Sequence, residues 1–572
     1  MKIRLTATIL AASLLFFGCN KRNDNPDPNR GNMADLIVSE DFSWTAAIQG
    51  TLTVTLENPL NVSTEDEFIQ VVNADGKVLD RTIVHNNIAE FQLNLPADGS
   101  FYVYYPVTEN TQKITGTGAM NLLLGPAVTY IYPQTKSTAV VSCTSCGTPI
   151  QNAGGELPYL ASGYALRNDA DVPGWSTTAT DHKIEMWVSG FQGVPSQEGR
   201  QFFELNANQV AALYQELCLE PGSTIRWSVW HRGRQGVDVA EVLIGASVAT
   251  AVRQATMTDG KTAWGHYTGT YNVPVGQTST FFVFKSISAA GGSQSIGNFL
   301  DNFDISCDAD GDGTIDRYDD YPGDPNTSYT SYFPESGRQI LAFEDLWPSL
   351  GDFDFNDLVL SNKVTITKNA AGTPLTASFS VSIDAIGASI DNGFALRFVK
   401  PDKTVFPANI IAGVSGAATL DPANTNGLIL SNDVYATIND RYQNNGEGPV
   451  GVPDTLKFTV TFNAQAGSFI PEIYLFRTGD RGHEVHRSGF PATATMNASL
   501  MNTQNDAGNF KTATGLPWAI EIITDQRFKC AIEKTDITSA YGKFKTWAES
   551  SGTVNSTWYL EPVAGKVVVV PF

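Results

Sequence analysis

The sequence predicts an all-β, multidomain chain built from β-sandwiches. Three observations carry this reading. Apolar runs are short, alternate with polar residues and stop at Gly, Asn or Asp turns, as half-buried strands do. Charged residues make up only 17% of the chain while hydrophobic residues reach 42%, enough to fill several cores. A length of 572 residues exceeds what one core serves, which points to three or four units of roughly 150 residues.

The beginning of the chain reads as a secretory segment. Lys2 and Arg4 precede an apolar stretch, Leu5 to Phe17, that is too short to span a bilayer as a helix. It ends at Leu15-Phe16-Phe17-Gly18-Cys19, which resembles the bacterial lipobox. The resemblance implies a signal peptide over 1–18 and lipidation of Cys19. Residues 19–35 then form a lipidated tether, since Asn20 to Asn32 holds no large apolar residue. Asn20, rather than aspartate, follows the cysteine, so an outer-membrane lipoprotein is expected, periplasmic or surface-exposed. The lipid anchor would be its only membrane attachment. A net charge of -22 excludes nucleic acid and anionic headgroups as natural partners and suits divalent cations wherever carboxylates cluster.

Residues 36–136 fit a small immunoglobulin-like sandwich. Leu52, Val54 and Leu56 alternate with threonines, and Asn73-Ala74-Asp75-Gly76 turns between Phe68–Val72 and Val78–Val84. Phe91, Leu93 and Leu95 alternate before Asp98-Gly99 turns into Phe101–Tyr105. Residues 137–307 hold half of the ten tryptophans and strand-like runs at Lys183–Val188, Gln201–Leu205, Thr224–His231, Ala240–Ile244 and Thr280–Lys285. Within them, Gly174-Trp175, Ile184 to Trp187, Glu204 to Asn206 and Gly297 to Asn302 resemble the jelly roll of galactose-binding-like and carbohydrate-binding modules. The resemblance implies a glycan held on aromatic faces, with Trp175, Trp187, Trp230 and Trp264 as candidates. Core packing is the competing role for each.

Five cysteines follow Cys19: Cys143, Cys146, Cys218, Cys307 and Cys530. An odd number leaves at least one unpaired, and a bridge from the Cys143/Cys146 pair to Cys307 would join the first and last strands of the second unit. No second Cys-x-x-Cys supports zinc, and no βαβ pattern supports redox chemistry.

Residues 308–334 form an acidic linker. Asp308-Ala309-Asp310-Gly311-Asp312-Gly313-Thr314-Ile315-Asp316-Arg317-Tyr318-Asp319 places Asp308, Asp310 and Asp312 at alternate positions of a tight loop. Gly313 permits a sharp turn, Thr314 offers its carbonyl, and Asp316 and Asp319 complete an all-oxygen set suited to calcium. The loop and its continuation through Asp320-Tyr321-Pro322-Gly323-Asp324-Pro325 resemble thrombospondin type 3 repeats.

Residues 335–572 form the last domain, with strands near Ile340–Trp347, Thr376–Ile383, Gly393–Val399, Leu456–Phe462 and Glu472–Phe476. Asp536 should cap one helix carrying Ala540, Tyr541, Phe544, Trp547 and Ala548, and Val567–Phe572 should end the chain as a strand. A second acidic cluster lies at Glu344, Asp345, Asp352, Asp354, Asn356 and Asp357. An extended segment would put Asp352, Asp354 and Asn356 on one face, ready for calcium, and Phe353 and Phe355 on the other. Leu341 to Pro348, Gly351 to Val359, Gly482-His483-Glu484-Val485-His486, Leu516 to Ile520 and Tyr541 to Trp547 resemble the LruC domain family of bacterial lipoproteins. That resemblance covers roughly 310–572 and implies an envelope module with no established reaction.

His483 and His486 do not form a zinc-helix motif, and contacts with Arg481 and Arg487 are their expected role. The chain carries no Gly-x-Ser-x-Gly elbow or phosphate loop, and no dinucleotide fingerprint in a βαβ setting. The sequence therefore points to a non-enzymatic binding or adhesion protein whose partner is a glycan or an extracellular protein. A component of polysaccharide degradation and a purely structural envelope protein are the alternatives.

Overall fold

The computed structural model describes residues 32–57, 68–106, 110–124, 150–316, 318–438 and 443–570. The signal segment, Cys19, Cys143 and Cys146 lie outside them. The fold is all-β, with strands arranged in several sheets and helices of at most six residues among the described residues. No helix there is long and apolar enough to cross a membrane.

Residues 48–124 make a small sandwich. One sheet orders Ile88–Leu95, Ile48–Leu56 and Met120–Leu124; the other orders Val78–Ile83, Phe68–Asn73, Phe101–Tyr105 and Asn110–Lys113. The alternating Leu52, Val54, Leu56, Phe91, Leu93 and Leu95 all enter its core. Residues 150–307 make a larger sandwich. Its six-stranded sheet runs Gly265–Asn272, Thr224–Arg232, Phe299–Cys307, Gln201–Glu204, Lys183–Val188 and Tyr164–Asn168. A five-stranded sheet centred on Thr280–Ser288 packs against it around Trp175, Trp227, Phe203 and Phe284. Cys218 and Cys307 are each disulfide-bonded, and Cys530 is a buried free thiol.

The C-terminal unit pairs an eight-stranded sheet with a five-stranded one. Phe379, Phe458, Phe394, Leu396 and Ile473 fill the space between them. The other face of the large sheet carries a second core. There the expected helix is two pieces, Ile537–Ala540 and Phe544–Glu549, with Asp536 capping the first by accepting from Thr538 N (2.8 Å). The chain leaves helical geometry at Tyr541 (φ -136°), whose ring stacks on Phe528 at 5.7 Å. Val567–Val570 does not form the expected strand: Val567 makes a single bridge to Ala531, and Val568 N donates to Cys530 O (2.8 Å).

Residues 33–46 do not belong with the first sandwich, as a boundary at 36 would require. They complete the C-terminal unit. Thr45–Ala46 pairs in parallel with Glu521–Ile522. Met33, Leu36, Phe42 and Trp44 enter the second core beside Phe544, Trp547 and Trp558. Trp44 Nε1 donates to Gly515 O (2.8 Å), and Asp536 Oδ2 accepts from Met33 N (2.7 Å). Their apolar side chains cover the flank of the last sheet that is rich in aromatic rings. Trp44→Ala should destabilise the C-terminal unit by about 3–5 kcal/mol. Urea denaturation of a chain beginning at Asn32 measures this, and a change below 1 kcal/mol (about one surface substitution) would mean the segment is not part of the core.

The first sandwich meets the C-terminal unit at Glu335, which accepts from Asn94 N (2.7 Å). Burial first, and Asp80 second, push this carboxyl up to about 8. A carboxyl raised in the folded state takes up a proton on folding. Its effect on stability is therefore a fall as pH rises from the ordinary 4.5 to about 8. Thermal melting across that window should show the fall and Glu335→Gln should flatten it; equal slopes would assign the titration to another group.

Candidate metal centres and an aromatic sheet face

Two acidic loops bring carboxylates together. In the first, one oxygen each from Asp308, Asp310 and Asp312 lies within 4.8 Å of the others. The backbone wraps them: Asp308 accepts from Gly311 N (2.8 Å) and Gly313 N (3.2 Å), and Asp312 Oδ1 accepts from Thr314 N (2.7 Å). Gly311 (φ +78°) and Gly313 (φ +102°) supply the left-handed turns this needs. Asp316 caps the loop start by accepting from Ala309 N (2.8 Å), and Thr314 Oγ1 bonds Tyr329 Oη (3.2 Å). Asp310 Oδ2 and Asp319 Oδ2 are buried and have no hydrogen-bond partner. Burial first, then Asp312 and Asp310, push Asp319 up to about 6.

This loop is a joint among three units. Asp308 N donates to Thr224 O (3.1 Å) of the larger sandwich, and Arg226 donates to Gly313 O. Arg81 of the small sandwich pairs with Asp320 (2.9 Å) and donates to Tyr318 O, while Phe68 packs on Tyr318 at 5.0 Å. Ser328 Oγ donates to Asp312 from the C-terminal side.

The second loop differs from the extended segment expected. Gly351 to Asp357 is irregular, and Phe353 (φ +61°) and Phe355 (φ +52°) are left-handed, a costly conformation for aromatic residues. Both rings lie in the second core of the C-terminal unit. The alternation survives, but the turns fold the polar residues back onto Glu344. One oxygen each of Glu344, Asp352 and Asp354 then lies within 4.8 Å of the others. Glu344 is 1% exposed; its Oε1 accepts from Phe355 N (2.8 Å) and its Oε2 has no partner. A side chain on Gly351 would collide with that oxygen. Asp345 and Asp357 sit beside the trio and are already engaged: Asp345 accepts from Asn392 Nδ2 (2.7 Å), and Asp357 accepts from Asp345 N (2.8 Å). Asn356 is fully buried, with Oδ1 unpartnered. Burial, followed by Asp357, Asp354 and Asp352, holds Glu344 well above the carboxylate range. Burial, then Asp352 and Glu533, push Asp354 up to about 8. Glu533 is a neighbour that sequence spacing could not reveal, because it arrives from the far end of the domain. These oxygen-only donor sets can hold a hard cation.

The tryptophan candidates divide. Trp175 and Trp187 are fully buried and offer no face to a ligand, which corrects the expectation for both. Trp175 donates to Asn152 O (3.0 Å) inside the core. Trp187 points out of the six-stranded sheet but is roofed by Phe191 (5.0 Å), by Arg234 over its ring (4.5 Å) and by Phe299 (5.0 Å). Its Nε1 donates to Glu185 (2.9 Å), which sits opposite Glu204 in register. Arg234 grips both oxygens of Glu204 at 2.8 Å. Trp230 and Trp264 are half-buried. Trp230 stacks on exposed His266 at 4.3 Å, and Trp264 lies edge-on to Phe202 at 5.6 Å. Tyr164, 54% exposed, stacks with Phe191 at 5.9 Å on the same sheet face. Tyr164 and Phe191 were not predicted; the signal for Tyr164 is its register position opposite Trp187.

His486 does not contact its arginine neighbours as expected. It is fully buried, with Nδ1 on Glu472 (2.6 Å) and Nε2 on Glu484 (3.0 Å). Burial alone would lower its pKa; the two glutamates outweigh this and raise it, which favours the protonated ring. Pairing of Ile470–Arg477 with Asp480–Val485 brings Glu472 to the histidine. His483 Nδ1 meets Asp480 at 2.8 Å.

A family described as a domain of unknown function (DUF4842) matches residues 375–559, about a third of the chain. No curated protein matches. Among solved structures, a Bacteroides ovatus protein described as a candidate lipoprotein aligns at 14% identity and TM-score 0.33, over 59% of this chain and 100% of its own. A CBM22 xylan-binding domain from Paenibacillus barcinonensis aligns at 17% identity and TM-score 0.19, over 25% of this chain and 98% of its own. A family 22 carbohydrate-binding module of Clostridium thermocellum aligns at 17% identity and TM-score 0.21, over 27% and 98%.

Chelation, or Asp310→Ala with Asp312→Ala, should loosen the three-way joint and increase limited proteolysis between 307 and 335. Unchanged cleavage would separate the acidic loop from the rigidity of the joint.

Proposed function

We propose that this chain is a calcium-stabilised envelope lipoprotein that binds glycan through the outer face of its six-stranded sheet. The observation that carries the reading is the strip of accessible rings on that face. Tyr164, Phe191, Trp264 and the Trp230–His266 stack rise from a floor made of Trp187, Phe202 and Phe299. Flat aromatic faces on a rigid sheet suit the apolar faces of pyranose rings, and their rigidity limits the entropy lost on binding.

Calcium suits both acidic loops because every donor is a hard oxygen. Its role here is to hold architecture. The LruC resemblance accords with an envelope module, and the position of residues 33–46 gives it an orientation. With Cys19 lipidated, Asn20 to Asn32 spans at most about 45 Å. The C-terminal unit, which residues 33–46 enter, would then lie near the membrane.

We assign binding rather than catalysis. Glu185 and Glu204 are the facing carboxylates on this sheet, but both are buried and committed to Trp187 and Arg234. Affinity electrophoresis of the chain from Asn32 through gels containing β-linked and α-linked polysaccharides tests the proposal. At least one should retard it, and Tyr164→Ala with Trp230→Ala and Trp264→Ala should weaken retardation about tenfold or more. Retardation that persists in this variant would move binding elsewhere; polysaccharide cleavage abolished by a single carboxylate substitution would make the protein an enzyme.

A further inference from the structure

We propose that the Glu344–Asp357 loop is one half of a two-cation centre, whose second seat is formed by Asn356 and Glu533. The proposal rests on reading that loop as a metal centre. It differs in assigning a second ion and a ligand from a distant segment.

Asn356 is fully buried, and its Nδ2 donates to Ala531 O (3.0 Å). A carbonyl accepts only, so this contact fixes which end of the amide is nitrogen. The other end, Oδ1, has no hydrogen-bond partner. An orphaned buried acceptor is costly, and a native structure keeps one where something fills the need.

What faces that oxygen is more oxygen. A Cβ built on Gly387 would fall onto Asn356 Oδ1, 2.9 Å from Glu533 Oε2 and 3.0 Å from the Asn356 carbonyl. Three acceptors thus converge on one corner, and glycine is the residue that leaves the corner open. Donors satisfy Glu533 only in part: Asn445 Nδ2 reaches Oε2 at 3.3 Å, and the exposed Lys534 reaches Oε1 at 3.5 Å. Asp354 lies between the two seats in the chain's connectivity. Its oxygen joins Glu344 and Asp352, and its Oδ2 accepts from Lys534 N (2.7 Å), the residue next to Glu533. A side-chain amide oxygen, a backbone carbonyl and a carboxylate form the mixed oxygen set that a calcium-sized cation takes, with water completing the shell.

The test is calcium titration of the chain from Asn32 by calorimetry, with native mass spectrometry to count bound ions. Glu344→Gln, Glu533→Gln and Gly387→Ala are compared with the parent. Glu533→Gln should lose one calcium, or weaken it at least tenfold, while the calcium removed by Glu344→Gln remains. Gly387→Ala leaves every carboxylate in place and should lose the same ion as Glu533→Gln, which keeps the test decisive if either variant misfolds. Parent stoichiometry and affinity in Glu533→Gln or in folded Gly387→Ala would overturn the second seat. A loss in Glu344→Gln alone would leave the first centre standing without it. A loss in Glu533→Gln and Gly387→Ala, with none in Glu344→Gln, would support the Asn356–Glu533 seat and remove the first centre. No loss in any variant would remove both.

Discussion

Like charges buried side by side are the constraint on which the C-terminal unit depends. Glu344, Asp345, Asp352, Asp354 and Asp357 occupy one loop region, and most of them are shielded from water. Isolated carboxylates in such surroundings lose several kcal/mol of hydration each. Protons or a cation must compensate, and the loop is shaped around that need. Two aromatic anchors accept left-handed backbone so that the carboxylates can converge. Gly351 and Gly387 stand where a side chain would block Glu344 Oε2 and Asn356 Oδ1. The local strain is therefore coupled to the electrostatics, and neither feature has a use without the other.

The Asp308 loop applies the same physics at a different scale. Its carboxylates are wrapped by their own backbone, so the loop is locally self-sufficient. Its flanks reach the small sandwich through Arg81 and Phe68, the large one through Thr224 and Arg226, and the C-terminal unit through Ser328 and Tyr329. A short acidic segment thus contacts all three sheet systems.

Much of this was legible in the sequence because it is local. Alternation placed Phe101–Tyr105 and Lys183–Val188 at their observed bounds. The spacing of Asp308, Asp310 and Asp312 placed their oxygens together. Distance in sequence defeated the rest. Residues 33–46 have no local reason to leave the first sandwich; their strand and hydrogen-bond partners lie beyond residue 510. Glu533 meets Asn356 only through the folded chain. Trp187 and Trp230 look alike in sequence, and only the roof of Phe191 and Arg234 separates a buried ring from an accessible one. The extended reading of Gly351–Asp357 failed because burial of Phe353 and Phe355 outweighed their backbone preference.

The docking of residues 33–46 also has a mechanical side. Tension between the N-terminal end and the ring-lined sheet enters the molecule at Met33. It loads the Trp44 wedge and the parallel pairing of Thr45–Ala46 with Glu521–Ile522 before it reaches the small sandwich. Tension there acts on a two-residue parallel pairing and a packed aromatic cluster together. Any load applied through the residues before Met33 would thus reach the eight-stranded sheet of the C-terminal unit before the small sandwich.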